Sequence, residues 1–396
     1  MIKILYVSTL CSDKLIKEMF DAGYKPIQAI QKFNLLLAKG FVANGCKVYA
    51  LTEIPKTVGS KIYKRENETE KGVEFSYNTK IDIKLVYNLW VMTSAFFRTL
   101  RWGIKHRKDE KVAIFDILQT EMGMGAISAC RLLGIKSVGI VTDLPDLPGM
   151  LQGRKETAIH RYLRKVIDRY ANSFDSYVLL TEQMNEVVNR KGRPFIVMEG
   201  LCDSSMSDFS PSIKNGENKV VIYAGGLYEE YGIKFLIDGF LKLESKNVEL
   251  HLFGHGPLVE MIENLQQIDK RIKYFGIVPN SRVVQAELAA SLLVNPRPTV
   301  EDFTKYSFPS KNMEYMVSGT PVLTTVLAGM PKEYHDYVYL LEDETENGVY
   351  EMLNKLLINT PSEELELMGE RAKRFVLENK NNINQSKRVI DFVKKN

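Results

Sequence analysis

The feature that most constrains the fold is a repeated alternation of short apolar runs with amphipathic, helix-like segments. In the first half of the chain, an apolar run at residues 4–7 precedes a helical pattern from about Pro26 to Asn44, and a second apolar run follows at residues 48–51. Pro26 suits the first turn of that helix, and Gly45 suits its end. Further apolar runs lie at residues 114–118, 137–141 and 177–180. This alternation predicts a parallel β-sheet with helices on its faces.

A polar, irregular stretch at residues 198–219 interrupts the alternation, which then restarts. Apolar runs at residues 220–224, 249–253, 322–323 and 339–341, with a helical pattern at about 232–244, predict a second parallel sheet.

A chain of 396 residues is too long for one ordinary core. We therefore predict an α/β protein with two Rossmann-like domains, at residues 1–200 and 201–375. A C-terminal helix at residues 376–396 is expected to pack back on the N-terminal domain. Open α/β sheets bind ligands at the carboxyl ends of their strands, and we expect the two domains to face each other across a ligand-binding cleft.

The composition argues against several classes of function. The net charge of +4 comes from 53 basic and 49 acidic residues, a balance that gives no reason to predict nucleic-acid binding. The four cysteines show no CxxC spacing and the five histidines are scattered, so we predict no metal site and no disulfide framework. A reducing cytoplasm fits this cysteine usage. The longest apolar stretch, residues 85–104, is interrupted by Asn88, Arg98 and Arg101, and no transmembrane helix is predicted.

The segment from Trp90 to Lys111 has two interpretations. Its aromatic side chains alternate with several basic ones, a composition that suits the surface of an anionic membrane. The same pattern also suits an amphipathic core helix that ends in a solvated basic run. Both interpretations stay open, and a cytoplasmic protein with peripheral membrane contact is one expectation.

Two glycine-rich segments follow predicted strands of the second half. They contain Gly225 and Gly226 in the first segment and Gly254 and Gly256 in the second. Glycines at a strand-to-helix turn let backbone amides approach a phosphate, and the helix dipole favours the negative charge. Each segment alone is equally consistent with a tight turn.

The most informative segment covers residues 308–314, with the sequence FPSKNME. Pro309 and Ser310 predict a helix start, and Gly319 predicts its end. A pyrophosphate at this N-terminus would meet free amides, the hydroxyl of Ser310 and the charge of Lys311. The alternative is a capped amphipathic helix with a solvated pair between Lys311 and Glu314.

Taken in order, these segments resemble glycosyltransferase family 4, whose members are retaining enzymes with the GT-B arrangement of two Rossmann-like domains. The order and spacing of the matching stretches carry the resemblance, since each stretch alone is unspecific. The matching stretches are residues 4–7, 31–36, 141–143, 178–182, 223–232, 253–257, 274–279 and 308–314.

The resemblance implies roles for individual residues of a donor site. Glu314 matches the second glutamate of the family's pair, which binds the donor ribose. Ser310 and Lys311 match the diphosphate-binding turn of the subset that reads Pro-Ser-Lys in this segment. Ile277, Val278 and Pro279 match the loop that contacts the nucleobase through its backbone. Gly254 and Gly256 match positions that line the same pocket. The amides of the earlier turn, at Gly225 and Gly226, would stabilise the charge of the leaving group.

The chain also departs from the family pattern. The family's first glutamate falls on Tyr306, and Glu301 or Asp302 is the nearest substitute. A common arginine and a common lysine of the family fall on Gly226 and Tyr231. Lys311 and Arg297 are then the nearest cations to balance a diphosphate. For Arg297, an exposed loop arginine is the competing interpretation.

The N-terminal domain departs from the pattern at one position. Relatives commonly carry a histidine at the end of the strand that here runs into Asp143. Asp143 is the best substitute, because acid-base and substrate-orienting groups gather at such strand ends. Asp146 is a weaker candidate, and a turn aspartate before a Leu-Pro pair is the alternative for Asp143.

The resemblance implies retaining transfer of a hexose-type sugar from a nucleoside-diphosphate sugar, most simply a UDP-sugar. The acceptor would be a saccharide or a lipid-linked saccharide, as in the synthesis of surface polysaccharides or glycoconjugates. Asp143, Lys311 and Glu314 are the catalytic candidates, and neither a metal nor a further cofactor is expected. The alternatives are a nucleotide-sugar epimerase or hydrolase, and a catalytically silent glycosyltransferase-like partner that binds acceptors.

Overall fold

The computed structural model describes residues 1–24, 29–55, 65–79, 83–145, 157–208, 218–300 and 302–396. The chain forms two compact units. Unit 1 comprises Met1–Leu201 together with Asn382–Asn396, and unit 2 comprises Cys202–Asn381. The second boundary falls after Asn381 rather than after residue 375, because a helix of unit 2 continues to Asn379.

Unit 1 is built on a mainly parallel sheet flanked by helices, as the alternation predicts. Its strands are buried along most of their length, which explains their continuous apolar runs. Its elements, in chain order, are β1 (Lys3–Val7), α1 (Asp13–Asp21), α2 (Ala29–Ala43), β2 (Lys47–Glu53), β3 (Glu68–Glu70), β4 (Val73–Asn78), α3 (Lys84–Lys105), β5 (Lys111–Asp116), α4 (Thr120–Leu132), β6 (Ser137–Val141), α5 (Ala158–Ala171), β7 (Ser176–Leu179), α6 (Met184–Val188) and β8 (Phe195–Val197).

Over the described residues this sheet has eight strands in the order β3-β4-β2-β1-β5-β6-β7-β8. All neighbours pair in parallel except β3 and β4, which form a hairpin. Lys71 and Gly72 turn that hairpin in the left-handed region, with φ values of 49° and 80°. The sequence analysis missed this hairpin, because its first strand has only three polar residues and no apolar alternation.

Helix α2 packs on the sheet through Leu36, Leu37 and Phe41. Gly45, with φ of 78°, ends it as predicted, and the amide of Cys46 donates to the carbonyl of Phe41 at 3.0 Å. The predicted start at Pro26 lies outside the described residues.

Unit 2 repeats the same design with a smaller sheet. Its elements, in chain order, are β9 (Lys219–Gly226), α7 (Ile233–Leu241), β10 (Val248–His255), α8 (Val259–Ile268), β11 (Ile272–Gly276), α9 (Asn280–Ala289), β12 (Leu292–Asn295), α10 (Ser310–Ser318), β13 (Val322–Thr325), β14 (Tyr339–Leu341), α11 (Glu346–Asn354) and α12 (Ser362–Asn379). Over the described residues its strands are all parallel, in the order β11-β10-β9-β12-β13-β14.

The carboxyl edge of the unit 2 sheet opens between β9 and β12. Strand β9 pairs with β10 as far as Gly226, but it pairs with β12 only at Val221 and Ile222. Beyond that point the amide of Ala224 donates to the hydroxyl of Tyr315 at 2.9 Å, instead of to a strand. After β9 the chain adds β10 and then β11 on one side of β9, and it later places β12 on the opposite side of β9. The opening between β9 and β12 is therefore the topological switch point, where such sheets bind ligands.

After α12 the chain returns to unit 1 as α13 (Asn382–Lys395). Asn382 donates to the carbonyl of Leu36 at 3.2 Å, and Gln385 donates to the carbonyl of Gly200 at 2.8 Å. Gly40 of α2 allows the close approach, since a Cβ there would overlap the carbonyl of Asn382 and the hydroxyl of Ser386. The last helix therefore completes the packing of α2.

Candidate functional site

A cavity of about 160 Å³ lies at the switch point of unit 2. Its walls come from three segments that are far apart in sequence. The region of β9 and the turn after it contributes Tyr223 and Tyr231, and the end of β12 contributes Asn295 and Arg297. Residues 307–311, which lead into α10, complete the wall.

Lys311, the second residue of α10, places its ammonium group in this cavity. The group lies 5.3 Å from the centre of the Tyr223 ring and packs directly on Gly225, where a Cβ would overlap Cε and Nζ. Burial lowers the pKa of Lys311 to about 8; the charge of Arg297 also lowers it, whereas Glu314 opposes the shift. The ammonium group of Lys311 makes no hydrogen bond or ion pair with any residue that the structure describes. A cation held in this way is available to an anionic ligand.

Arg297, which the sequence analysis offers as a second cation for a diphosphate, lines the same cavity. Its guanidinium carbon lies 4.7 Å from the centre of the Tyr231 ring, and Nη1 donates to the hydroxyl of Ser307 at 3.3 Å. Its backbone carbonyl accepts a hydrogen bond of 2.5 Å from the hydroxyl of Thr325. The competing interpretation, an exposed loop arginine, is wrong, because the side chain is half-buried between these partners.

The N-terminus of α10 faces the cavity. The helix begins at Ser310 after Pro309 and ends at Gly319, whose φ is 82°, as predicted. No side chain caps the start, and the first turn closes when the amide of Asn312 donates to the carbonyl of Pro309 at 3.0 Å. The amides of Ser310 and Lys311 precede the first bond of the helix, so this N-terminus has the geometry that favours an anion.

Glu314 lies one turn further along α10 and does not line the cavity. It is half-buried and is close enough to Lys311 to raise the pKa of that side chain. Ser310 is exposed at the mouth of the cavity. The structure therefore brings Ser310, Lys311 and Arg297 together at the cavity, whereas Glu314 lies further along α10 and outside the cavity wall.

The predicted glycine turns begin later than expected. Gly225 and Gly226 are the last residues of β9, and Gly254 lies opposite Gly225 within β10. The two strands stay paired because Gly254, with φ of 126°, has no Cβ to overlap the carbonyl of Gly225. Gly256 packs in the same way on the carbonyl of Leu227. Of the four glycines, Gly225 lies against Lys311 and Gly226 lies against the rings of Tyr228 and Tyr231, so each of these two packs on a residue that lines the cavity.

The predicted nucleobase loop, with Ile277, Val278 and Pro279, connects β11 to α9. It lies at the same carboxyl edge of the sheet but does not line the cavity. Ile277 is 70% exposed, and Pro279 precedes the first residue of α9. Strand β11 is separated from β9 by β10, so this loop and the cavity lie at different points of one edge.

The remaining candidates have mixed outcomes. Asp143 is exposed in unit 1 after β6, and its Oδ1 accepts a hydrogen bond from the amide of Leu144 at 2.8 Å, as in a turn aspartate. Asp146 and Glu301 lie outside the described residues, as does the side chain of Asp302. Tyr306 lies beside the ammonium group of Lys305, at 5.2 Å, and not on the cavity wall.

The sequence analysis missed a buried amide pair beneath the cavity. Asn295 donates to the side-chain oxygen of Asn312 at 2.8 Å, and both side chains are buried. The pair ties the end of β12 to the first turn of α10 and fixes the wall that holds Lys311. A buried asparagine that ends an apolar strand was the available signal, because a buried amide needs a partner.

Helix α3 covers most of the segment from Trp90 to Lys111 and has one buried and one exposed face, whereas contact with a membrane stays a prediction. One face is buried through Val91, Ala95 and Trp102. The opposite face is apolar yet exposed, with Trp90, Phe97 and Ile104 being 42%, 64% and 51% exposed. Within the described residues, no helix is long and apolar enough to cross a membrane. No group of His, Cys, Asp and Glu residues in the described part of the chain is arranged to hold a metal ion.

Comparison with known protein families finds a match in the second half of the chain. Residues 218–359 match the family model for glycosyl transferases group 1, so this part of the chain is glycosyltransferase-like in sequence. A sequence search of curated proteins gives no match.

Three solved structures share the fold along the whole chain. Sucrose-phosphate synthase from Thermosynechococcus elongatus is 15% identical with a TM-score of 0.67, covering 100% of this chain and 99% of its own. HepE from Anabaena, in complex with UDP-glucose, is 14% identical with a TM-score of 0.60 and full coverage of both chains. WaaG, a glycosyltransferase involved in lipopolysaccharide biosynthesis, is 16% identical with a TM-score of 0.60, covering 99% of each chain. These similarities show that the two parallel α/β domains have the GT-B fold.

Proposed function

We propose that the chain transfers a sugar from a nucleoside-diphosphate sugar, with UDP as the nucleoside diphosphate, to a hydroxyl of a saccharide or lipid-linked acceptor. One observation carries the proposal: two cations and a helix N-terminus converge on one cavity at the switch point of unit 2. Such a site suits a diphosphate, because charge-assisted hydrogen bonds and a helix dipole both favour the anion. The match to glycosyl transferases group 1 spans the same residues, and HepE, of the same fold, was solved with UDP-glucose.

In the proposed reaction the bond between the anomeric carbon and the diphosphate oxygen breaks, and the acceptor oxygen forms a new bond to the same carbon. Negative charge develops on the departing diphosphate, which takes up the proton of the acceptor hydroxyl. Lys311, Arg297 and the amides at the start of α10 stabilise that charge, which is electrostatic catalysis at the breaking bond. The hydroxyl of Ser310, at the mouth of the cavity, donates a hydrogen bond to the diphosphate. These groups are in place before the ligand arrives, so little reorganisation is needed at the moment of transfer.

The other roles rest on the resemblance to glycosyltransferase family 4 and its Ser-Lys subset. Glu314 accepts hydrogen bonds from the donor ribose, and Ile277, Val278 and Pro279 contact the base through their backbone. Gly225, Gly226, Gly254 and Gly256 keep the strand ends close enough for amides to approach the phosphates. Asp143 orients the acceptor hydroxyl, and transfer retains the anomeric configuration without a metal.

We further propose that helix α3 docks on an anionic membrane surface, where lipid-linked acceptors lie. Val86, Trp90, Phe97 and Ile104 recur along the exposed face at helical spacing, opposite the buried face. Residues 83–108 contain no acidic side chain, and the basic ones include Arg101 and Lys105. A helix with an outward apolar stripe and only positive charge suits an anionic lipid surface.

Calorimetry with UDP, GDP, ADP and their sugars tests the donor assignment. We expect saturable binding of UDP and its sugar by the wild-type chain. Binding of none of these ligands would favour the catalytically silent partner, which Tyr306, Gly226 and Tyr231 in place of charged residues already suggest. Product analysis with donor alone separates the remaining options, since a hydrolase or epimerase converts the donor without an acceptor.

Flotation with vesicles tests the membrane proposal separately. The wild-type chain is expected to float with vesicles that contain phosphatidylglycerol and not with phosphatidylcholine alone. The double variant Trp90→Ser and Phe97→Ser should lose flotation, whereas the control Ile268→Ser, which changes an exposed isoleucine of unit 2, should retain it. Equal flotation of both variants would contradict docking through α3.

A further inference from the structure

The two cations of the cavity are each held against a tyrosine ring. Lys311 lies 5.3 Å from the centre of the Tyr223 ring, and Arg297 lies 4.7 Å from the centre of the Tyr231 ring. Both tyrosines come from β9 and the turn after it, whereas both cations come from later segments of unit 2. Tyr231 stands where the resembling family commonly carries a lysine, so a ring occupies the position of a charge.

The backbone fixes Tyr231 beside Arg297. Tyr231 ends a turn of 3-10 helix, Glu229–Tyr231, and Gly232 follows with φ of 76°. A Cβ on Gly232 would overlap the carbonyl of Pro296, so only glycine lets this backbone lie against the residue before Arg297. The ring of Tyr228 also packs against the Tyr231 ring, with the two centroids 5.4 Å apart.

Arg297 lines the cavity and is held by contacts of both its backbone and its side chain. Its backbone carbonyl accepts from Thr325, and Nη1 donates to Ser307, which also lines the cavity. The contact with the ring of Tyr231 stabilises a cation without using an N–H donor. A guanidinium held in this way can direct donors at a phosphate with little loss of side-chain entropy on binding.

We propose that Tyr231 is a positioning residue that holds the Arg297 guanidinium at the diphosphate. This inference rests on the proposed function, since it assigns the cavity to a diphosphate. It predicts that Tyr231 acts on the terminal phosphate of UDP through Arg297, and not on the base or ribose.

Calorimetry with UDP and UMP tests this inference, because the two ligands differ by the terminal phosphate alone. Tyr231→Leu and Arg297→Ala should each weaken UDP binding about tenfold and change UMP binding less than about twofold. Tyr231→Phe keeps the ring and should bind UDP within about twofold of wild type. The double variant should bind UDP no more weakly than Arg297→Ala, because the two residues act as one unit.

The matched control is Tyr306→Leu, which removes a ring that also contacts a cation, Lys305, but does not line the cavity. UDP binding by this control should match wild type. If Tyr231→Leu does not fold, as judged by its melting curve, Tyr231→Met takes its place, since it fills a similar volume without an aromatic face.

Three results would overturn the inference while leaving the proposed function intact. They are unchanged UDP binding by Tyr231→Leu, equal weakening of UDP and UMP, and full additivity in the double variant. If wild type binds no nucleoside diphosphate at all, the proposed function fails first. If the calorimetric panel selects another base, the corresponding diphosphate and monophosphate replace UDP and UMP.

Discussion

Charged side chains at the carboxyl edges of the two sheets differ in sign and in their hydrogen bonds. In unit 1, Glu68 accepts hydrogen bonds from Arg65 at 2.8 Å, from Tyr77 at 2.9 Å and from Ser12 at 2.5 Å. Burial alone would raise the pKa of Glu68, but these bonds outweigh it and lower the pKa to about 2. Among the described residues, the unit 2 cavity has two cations and no carboxylate on its wall.

Another carboxyl of unit 1 is also hydrogen-bonded within the unit, but it is more deeply buried than Glu68 and its pKa moves in the opposite direction. Asp116 ends β5 fully buried, and burial raises its pKa to about 6 although Leu118 and Asn34 donate to it. Both carboxyl oxygens of Asp116 thus accept hydrogen bonds from residues of unit 1. The comparison shows that one architecture can pair a charge within its own unit, as at Glu68, or bury it without a hydrogen bond to a described residue, as at Lys311.

The largest expected effect comes from removing the ammonium group of unit 2. Lys311→Ala should reduce turnover, and UDP affinity with it, on the order of 100-fold, because the principal cation at the diphosphate is lost. The control Lys246→Ala removes an exposed lysine just before β10, at the opposite edge of the same sheet. Turnover is measured by steady-state kinetics. Equal losses of turnover in Lys311→Ala and Lys246→Ala would contradict a specific role for the carboxyl edge of the unit 2 sheet.

In unit 1 the corresponding change should affect stability and not binding. Glu68→Gln should lower the free energy of unfolding by about 2 kcal/mol at pH 7, because several hydrogen bonds to a charged group are weakened. The pKa of Glu68 is lowered in the folded chain, so this stabilisation is present above the unfolded value and is lost as pH falls toward about 2.

Urea unfolding at several pH values measures that difference. The gap between wild type and Glu68→Gln should close between about pH 5 and pH 2. UDP affinity at pH 7 should be the same in both. A variant that kept its stability but lost UDP binding would mean that the unit 1 edge is also a ligand site.

A smaller effect is expected from Gly225→Ala. This substitution keeps the ammonium group of Lys311 but moves it from its position against residue 225. The new Cβ would overlap Cε and Nζ of Lys311, and UDP affinity should fall about tenfold. Added to Lys311→Ala, the same substitution should have no further effect, because its steric partner is gone. Calorimetry on the four combinations provides the test, and simple additivity would contradict the contact.

The smallest effect is the pH dependence of UDP binding. The pKa of Lys311 is lowered to about 8, so its charged fraction falls as pH rises through that value. UDP affinity should decrease about fourfold between pH 7 and pH 8.5, as the protonated fraction decreases. Lys311→Ala should show no such decrease, and a fall of the same size in that variant would assign it to another group.

Much of the fold follows from the sequence, because buried parallel strands appear as apolar runs. The strands at residues 137–141 and 339–341 have the predicted bounds. Strands β9 and β10 extend past their predicted ends, since Gly225 and Gly254 pair side by side rather than turn. A propensity rule treats each glycine alone and does not include its partner on the next strand.

The candidate site was predictable where its residues are contiguous. Ser310 and Lys311 adjoin the predicted helix start, and the structure places them there. Tyr223 and Tyr231 were not predicted as supports for cations, because they lie far in sequence from Lys311 and Arg297. Their meeting depends on the opening between β9 and β12 and on the close approach at Gly232, which only tertiary structure reveals.

The return of α13 to unit 1 has a consequence for synthesis on the ribosome. The packing surface of α2 is completed by a helix that is made about 340 residues later. Unit 2, by contrast, is one continuous stretch, Cys202–Asn381, and is fully synthesised before α13 emerges. Unit 2 is thus able to reach its native state first, while unit 1, which precedes it in the message, keeps an apolar surface of α2 exposed until α13 is made.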